Sequence, residues 1–180
     1  MTSPLLALVL AATPAVPVAV GPPLDMSRPP VHDVAMTVEV GPARDVLALL
    51  SAKPDAAEAL KRLRASRAFA LALSRDGGNP DDVLGRLVSV AAGAPDPLLS
   101  GYASRADGFA RVLDALEVDG TRGALIEARR IAALLPAGRR VTARLKVVPL
   151  VGLAGFDEVV AESDGETTWL FADLPRFVPD

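Results

Sequence analysis

The residues that could do chemistry in this chain are few. It has no cysteine and one histidine, His32. That removes thiolate nucleophiles, disulfides and cysteine-based zinc or iron–sulfur sites. A zinc site built from this chain alone would have one imidazole and otherwise carboxylates. His32 follows a proline-rich stretch and has no second ligand at helical spacing, so it reads as an exposed linker residue. A Ser–His–acid triad would need His32 to move in from that stretch. Asp81 and Asp82 are paired acids, but neighbours on a helix point about 100° apart, and a helix first turn accounts for both. Gly152 to Gly155 spells Gly-x-x-Gly, with no following helix and no Lys-Ser/Thr pair to hold a phosphate, so it reads as a loop between strands. Arg62, Arg64 and Arg67 alternate with apolar residues at core spacing, the pattern of a solvated helix face. Walker loops, nucleophile elbows and dinucleotide fingerprints do not occur. The sequence therefore assigns no catalytic, cofactor-binding or metal-ligating residue.

The elements that would position any site have to come from a chain of 180 residues, half of them apolar. That is enough for one domain with its own core. Aromatics are scarce, so the core is Leu, Val and Ala, a composition that favours closely packed helices. The net charge of −3 gives no electrostatic case for a nucleic-acid partner or a membrane surface.

Leu5 to Ala12 is an apolar run followed by Thr13-Pro14-Ala15, and cleavage after Ala15 or Ala19 would fit a secretory signal peptide over residues 1–20. The first basic side chain is Arg28, so the amino terminus alone supplies positive charge. The run is shorter than the roughly 20 residues a membrane span needs, and Pro14 and Pro17 break it. The expectation is export to the periplasm or beyond, with no integral membrane segment. The alternative is a cytoplasmic protein with an apolar leader. Residues 21–33 read as a proline-rich linker, and residues 34–180 as one domain.

Val34 to Val40 alternates cleanly, as a half-buried strand does. Pro42 then opens a helical region over about 42–135. Its expected helices begin near Ala43 and Pro54, the second reaching Phe69 and Leu73 if it continues. Others cover Val83 to Ala92, a short turn at Leu98 to Tyr102, Arg105 to Val118, and Thr121 to Leu135. In the last, Leu125, Ile126, Ile131, Leu134 and Leu135 form the apolar set. Over about 140–173 a small sheet follows. Val141 to Leu150 alternates at first, Phe156 to Glu162 and Glu166 to Ala172 read as a hairpin, and Ser163-Asp164-Gly165 is its tight turn. Trp169 reads as a core or sheet-face anchor. The fold class is α+β, a helical region followed by a small, mainly antiparallel sheet that the Val34–Val40 strand could join.

The stretch Leu135 to Phe177, ending in an apolar strand and Asp173-Leu174-Pro175, resembles the amino-terminal portion of bacterial zinc-dependent peptidases of the gluzincin kind. In such families the sheet precedes a helix bearing His-Glu-x-x-His, whose histidines hold zinc and whose Glu activates water. That motif does not occur in this sequence, so no catalytic residue carries over. The resemblance implies a non-catalytic amino-terminal part of an exported peptidase-like protein. The alternative is a free-standing exported binding or interaction module. The first reading also expects apolar surface at Trp169, Phe171, Leu174 and Phe177, and protein contact through this carboxyl-terminal hairpin.

Overall fold

Alternation from Val34 onward produces strand β1 (Asp33–Val38), and the Gly41-Pro42 break behind it opens helix α1 (Gly41–Leu50) with proline in the first turn. In the computed structural model, which describes residues 32–51, 54–74, 78–136, 140–151 and 160–176, five more helices follow among those residues. They are α2 (Ala56–Ala65), α3 (Arg67–Ser74), α4 (Pro80–Ala91), α5 (Pro97–Ser104) and α6 (Ala106–Leu134). Strands β2 (Thr142–Leu150), β3 (Val160–Ser163) and β4 (Thr168–Asp173) come next, with a 3-10 turn at Leu174–Arg176. The class is α+β.

The sheet order is β1-β2-β4-β3. β1 pairs with β2 and β2 with β4 in parallel, and β3 alone runs antiparallel to β4. The expectation of a mainly antiparallel sheet is therefore corrected. Local pattern shows only a tight hairpin, whereas parallel partners need a long crossover. Here that crossover is the whole helical region between β1 and β2.

The sheet has two unlike faces. On one, Val34, Met36 and Val38 join Leu145, Val147, Leu170 and Ala172 in the main core with α1, α2, α4, α5 and α6. α1 lies at the centre of the helical layer and is buried along nearly its whole length. On the other face Val148, Leu150, Trp169 and Phe171 pack with Ala68 and Ala72 of α3.

Several expectations change. His32 is not an exposed linker residue. It is 4% exposed, and its Nδ1 accepts a hydrogen bond from the Val141 N–H at 3.1 Å. The Asp33 N–H donates to the Val141 carbonyl beside it, so residues 32 and 33, expected as linker, already belong with the sheet. A partly buried backbone donor at the entry to β2 needs an acceptor, and His32 supplies it from far away in sequence. The segment from Pro54 to Leu73 is two helices, because Ser66 is extended between α2 and α3. The two helices expected from 105 to 135 are one. Gly120 does not break α6. A Cβ there would lie 3.1 Å from Val38 Cγ2, so glycine lets the helix lie close on β1.

The buried side of α6 is not the large-aliphatic set. It includes Phe109, Leu113, Leu116, Gly123, Ala124, Ala128 and Ala132, while Leu125 and Leu134 are 54% and 85% exposed. Trp169, Phe171 and Leu174 are buried within the chain, which overturns the expected exposed apolar face at the hairpin. The expected segments 1–31, 152–159 and 177–180, including the leader, the Gly152–Gly155 loop and Phe177, lie outside the described residues. None of the helices described is long and apolar enough to cross a membrane.

Candidate functional site

The charged residues mostly join elements to one another. Asp45 on α1 is buried, and Arg62 on α2 donates to its Oδ1 from Nε at 2.9 Å and Nη2 at 2.6 Å. Arg44 reaches across to α6 and donates to both Asp114 and Glu117. Arg86 on α4 holds Asp96, whose other oxygen accepts the Leu99 N–H at the start of α5. The Leu99 N–H, followed by Arg86, keeps the Asp96 carboxyl below its ordinary range. Arg67 of α3 meets Asp164 at 3.1 Å. Asp164 also accepts the Thr167 and Glu166 N–H groups, in that order the main causes of its lowered pKa. Arg62, Arg64 and Arg67 are all exposed, as expected of a solvated face, and from there Arg62 and Arg67 each reach a carboxylate on another element. A carboxylate held by guanidinium and backbone N–H groups is a weak base and a poor nucleophile.

Two concave or buried places collect polar groups. A shallow groove of about 470 Å³ runs between α4 and the segment leading to α5, lined by Asp81, Asp82, Arg86, Ser89 and Asp96 among others. Its acids already have local work. Asp81 and Asp82 sit in the first turn of α4, behind an Asn79 side chain that accepts the Asp81 N–H, and Asp96 caps α5. The first-turn reading of Asp81 and Asp82 therefore holds. The second place is the carboxyl end of β4. There Asp173 is buried, and Tyr102 has its phenol pushed up by burial first and then by the Asp173 charge. Tyr102 meets Phe109 edge-on at 6.2 Å, and the Arg105 guanidinium lies 5.2 Å from the Phe109 ring centre. Among the described residues no group of three or more His, Asp or Glu side chains could hold a metal ion.

The remaining feature is the outer side of α6. Val118 is 78% exposed and Leu125 54%. Seven residues span about two turns, so the two side chains point within about 20° of one another. They lie opposite the Phe109, Leu116 and Glu127 side, which is buried. Thr121 and Arg122 between them are exposed, as are Asp107, Arg111 and Asp114 further along the same side. Charge is unevenly divided along this helix. From 106 to 120 four acids oppose Arg111, a net −3; from 121 to 134 Arg122, Arg129 and Arg130 oppose Glu127, a net +2. Arg44, bound to Asp114 and Glu117, brings the acidic half to −2.

Neither His32 nor Asp81–Asp82 is brought to a common site, and Trp169 is 5% exposed, an anchor of the sheet as expected. Sequence reasoning missed the outer side of α6. Leu125 read as core, and Val118 closed a helix instead of lying mid-helix. The available signal was the seven-residue spacing of Val118 and Leu125, opposite the Phe109–Leu113–Leu116 stripe.

No family model, curated protein or solved structure matches this chain.

Proposed function

We propose that this chain is a non-catalytic interaction module that presents the outer side of α6 to another protein. The observation that carries the reading is the pair Val118 and Leu125, exposed together on the side of a 29-residue helix that faces away from the core. Single exposed aliphatics are ordinary. Two on one line of a helix, with charge of opposite sign at either end, form the seam that helical partners use. The test is a photo-reactive amino acid placed at Leu125, with exposed Ala70 on α3 as control, in cells that make the protein. Adducts of defined mass at Leu125 and not at Ala70 support the reading. Their absence at both Leu125 and Val118 overturns it.

A second reading sets the module within an exported zinc-peptidase-like protein. It is favoured by the resemblance of Leu135 to Phe177 and by the way β4 leaves the sheet at Asp173 through the Leu174–Arg176 turn. Reading the gene beyond codon 180 tests it: a following His-Glu-x-x-His supports it, and a stop codon followed by an unrelated gene overturns it. Under either setting the apolar leader argues for export, with a mature chain starting near Val16 or Val20. The intact mass of the protein from cells reads this directly.

A further inference from the structure

The single histidine of the chain closes the start of the sheet with a ring atom that a proton would occupy. We infer that His32 is a proton-operated latch on β1. The neutral ring holds the entry to β2, and the protonated ring releases it. This device lies apart from the α6 face and does not depend on it.

The geometry is a two-point clasp on Val141. The Asp33 N–H donates to the Val141 carbonyl at 2.9 Å, and the Val141 N–H donates to His32 Nδ1 at 3.1 Å. The first bond joins backbone to backbone, as in any parallel ladder, and is indifferent to pH. The second sets an imidazole nitrogen where a ladder would use a carbonyl. A neutral imidazole has one acceptor nitrogen, so with Nδ1 accepting, the ring proton sits on Nε2. An imidazolium donates from both nitrogens and accepts at neither. Protonation would therefore turn two donors on each other. His32 is 4% exposed, so little water reaches the ring to take over, and a donor left without an acceptor is costly there.

Histidine is the side chain that ordinarily changes charge between pH 5 and 8, and this chain has one. The charges nearest to it on the sheet belong to Asp33, Arg144 and Arg140. The Arg144 hydrogen bond lowers the Asp33 pKa, and the same bond raises that of Arg144, so this pair keeps its charges through the window. Arg140 lies close enough to act on Asp33 as well. At the other end of β1, Lys146 holds Glu39. The other element lying against β1 is α6. Of its buried residues the charged one is Glu127, which Arg130 holds at 2.8 Å. When the latch opens, the Asp33–Val141 bond and the Arg144–Asp33 pair remain, and Met36 stays in the core. The expected change is a loosening of the first residues of β1, not unfolding of the sheet.

Nuclear magnetic resonance of the full chain, titrated from pH 8 to pH 5, tests this. Ring shifts of the lone histidine report its tautomer and its protonation. At high pH the Nε2–H tautomer is expected. As the ring protonates, the protection of the Val141 amide against hydrogen exchange, corrected for the intrinsic rate, should fall by about tenfold. Amides in the middle of β2, such as that of Val148, should keep theirs. His32→Asn places an Oδ1 acceptor that does not titrate, so its Val141 protection should stay level across the range. From pH 7.5 to pH 5.5 the melting temperature of the parent should fall by about 2–4 °C relative to that variant.

The inference is overturned by an Nδ1–H tautomer at high pH, by a ring still neutral at pH 5, or by Val141 protection that does not change as the ring protonates. An equal loss of protection in His32→Asn overturns it too. If that variant does not fold, the titration of the parent decides alone.

Discussion

On the face of the sheet that meets the helical layer, Met36, Val38, Val147 and Ala172 lie under aliphatic side chains of α1 and α6. On the opposite face, among the described residues, the β2–β4 end is covered, by Ala68, Leu71 and Ala72 of α3. The β1–β2 end of that face shows Thr37, Thr142 and Arg144 to solvent. There the strands are linked by charges: Arg144 with Asp33 at 3.0 Å and Lys146 with Glu39 at 3.3 Å. Lys146 also lies 4.5 Å from the Trp169 ring centre, at the junction of the charged and apolar parts. Parallel strands are usually covered on both faces. This sheet keeps its parallel pairs with one face half open, by replacing apolar burial there with cross-strand ion pairs. Since exposed pairs of this kind contribute little, the covered face carries most of the stability.

The sharpest way to break that comparison is to hollow the covered side. Phe109 is fully buried between α6, Tyr102 and Arg105. Phe109→Ala should lower unfolding free energy by about 3–5 kcal/mol, read from urea titration. Arg144→Ala on the open face should leave the urea midpoint nearly unchanged. Equal losses from the two variants would contradict the division of labour between the faces.

A smaller effect tests how closely α6 lies on β1. Gly120→Ala gains up to about 1 kcal/mol of helix propensity. It also sets a methyl group 3.1 Å from Val38 Cγ2 and 3.3 Å from Val38 Cβ. Val38 is β-branched and belongs to the sheet, so it cannot swing aside. Overpacking of about 1–3 kcal/mol should win, giving a net loss of about 1 kcal/mol. Gly85→Ala, in the exposed interior of α4 with no atom within 4 Å of the new methyl, should instead stabilise by about 0.5–1 kcal/mol. Opposite signs in thermal unfolding are the expected result.

The smallest effect at neutral pH concerns the carboxylates. Asp33, Asp96 and Asp164 all have lowered pKa values, from Arg144, from the Leu99 N–H with Arg86, and from the Thr167 and Glu166 N–H groups respectively. A folded-state pKa below the unfolded one means that the unfolded chain takes up protons first on acidification. Their contribution is therefore complete above about pH 4 and is lost as pH falls through the folded values. Melting temperatures measured from pH 6 down to pH 2 should fall in that window, and Asp164→Asn should flatten the decline.

Much of the architecture was written locally. The clean alternation of Val34 to Val40 gave β1. The change in Val141 to Leu150, from alternation to the run Val147-Val148-Pro149-Leu150, marks where α3 begins to cover the second face. Asp81 and Asp82 marked the first turn of α4. What stayed hidden depends on partners distant in sequence. Nothing near His32 says that Val141 will donate its N–H to it. Nothing near Asp119-Gly120 says that the glycine serves a strand some eighty residues earlier, so it read as a helix end. The candidate interface was concealed by the same rule that found the core. Aliphatic residues at helical spacing imply a buried side, yet alanine and glycine form much of the inner side of α6 because the sheet lies so close. Leu125 was displaced outward.

The β1–β2 pairing also sets the order in which the chain can fold. Asp33 pairs with Thr142, and the adjoining His32–Val141 contact spans 109 residues. A growing chain would therefore make β1 long before its neighbour exists. Helices α1 to α6 can form in the meantime, but the first strand must wait until β2 and β4 emerge. Contacts of such long range slow folding, because the closure entropy comes due before the pairing repays it. During that wait Val34, Met36 and Val38 lack their sheet partners, and their apolar side chains stay open to water.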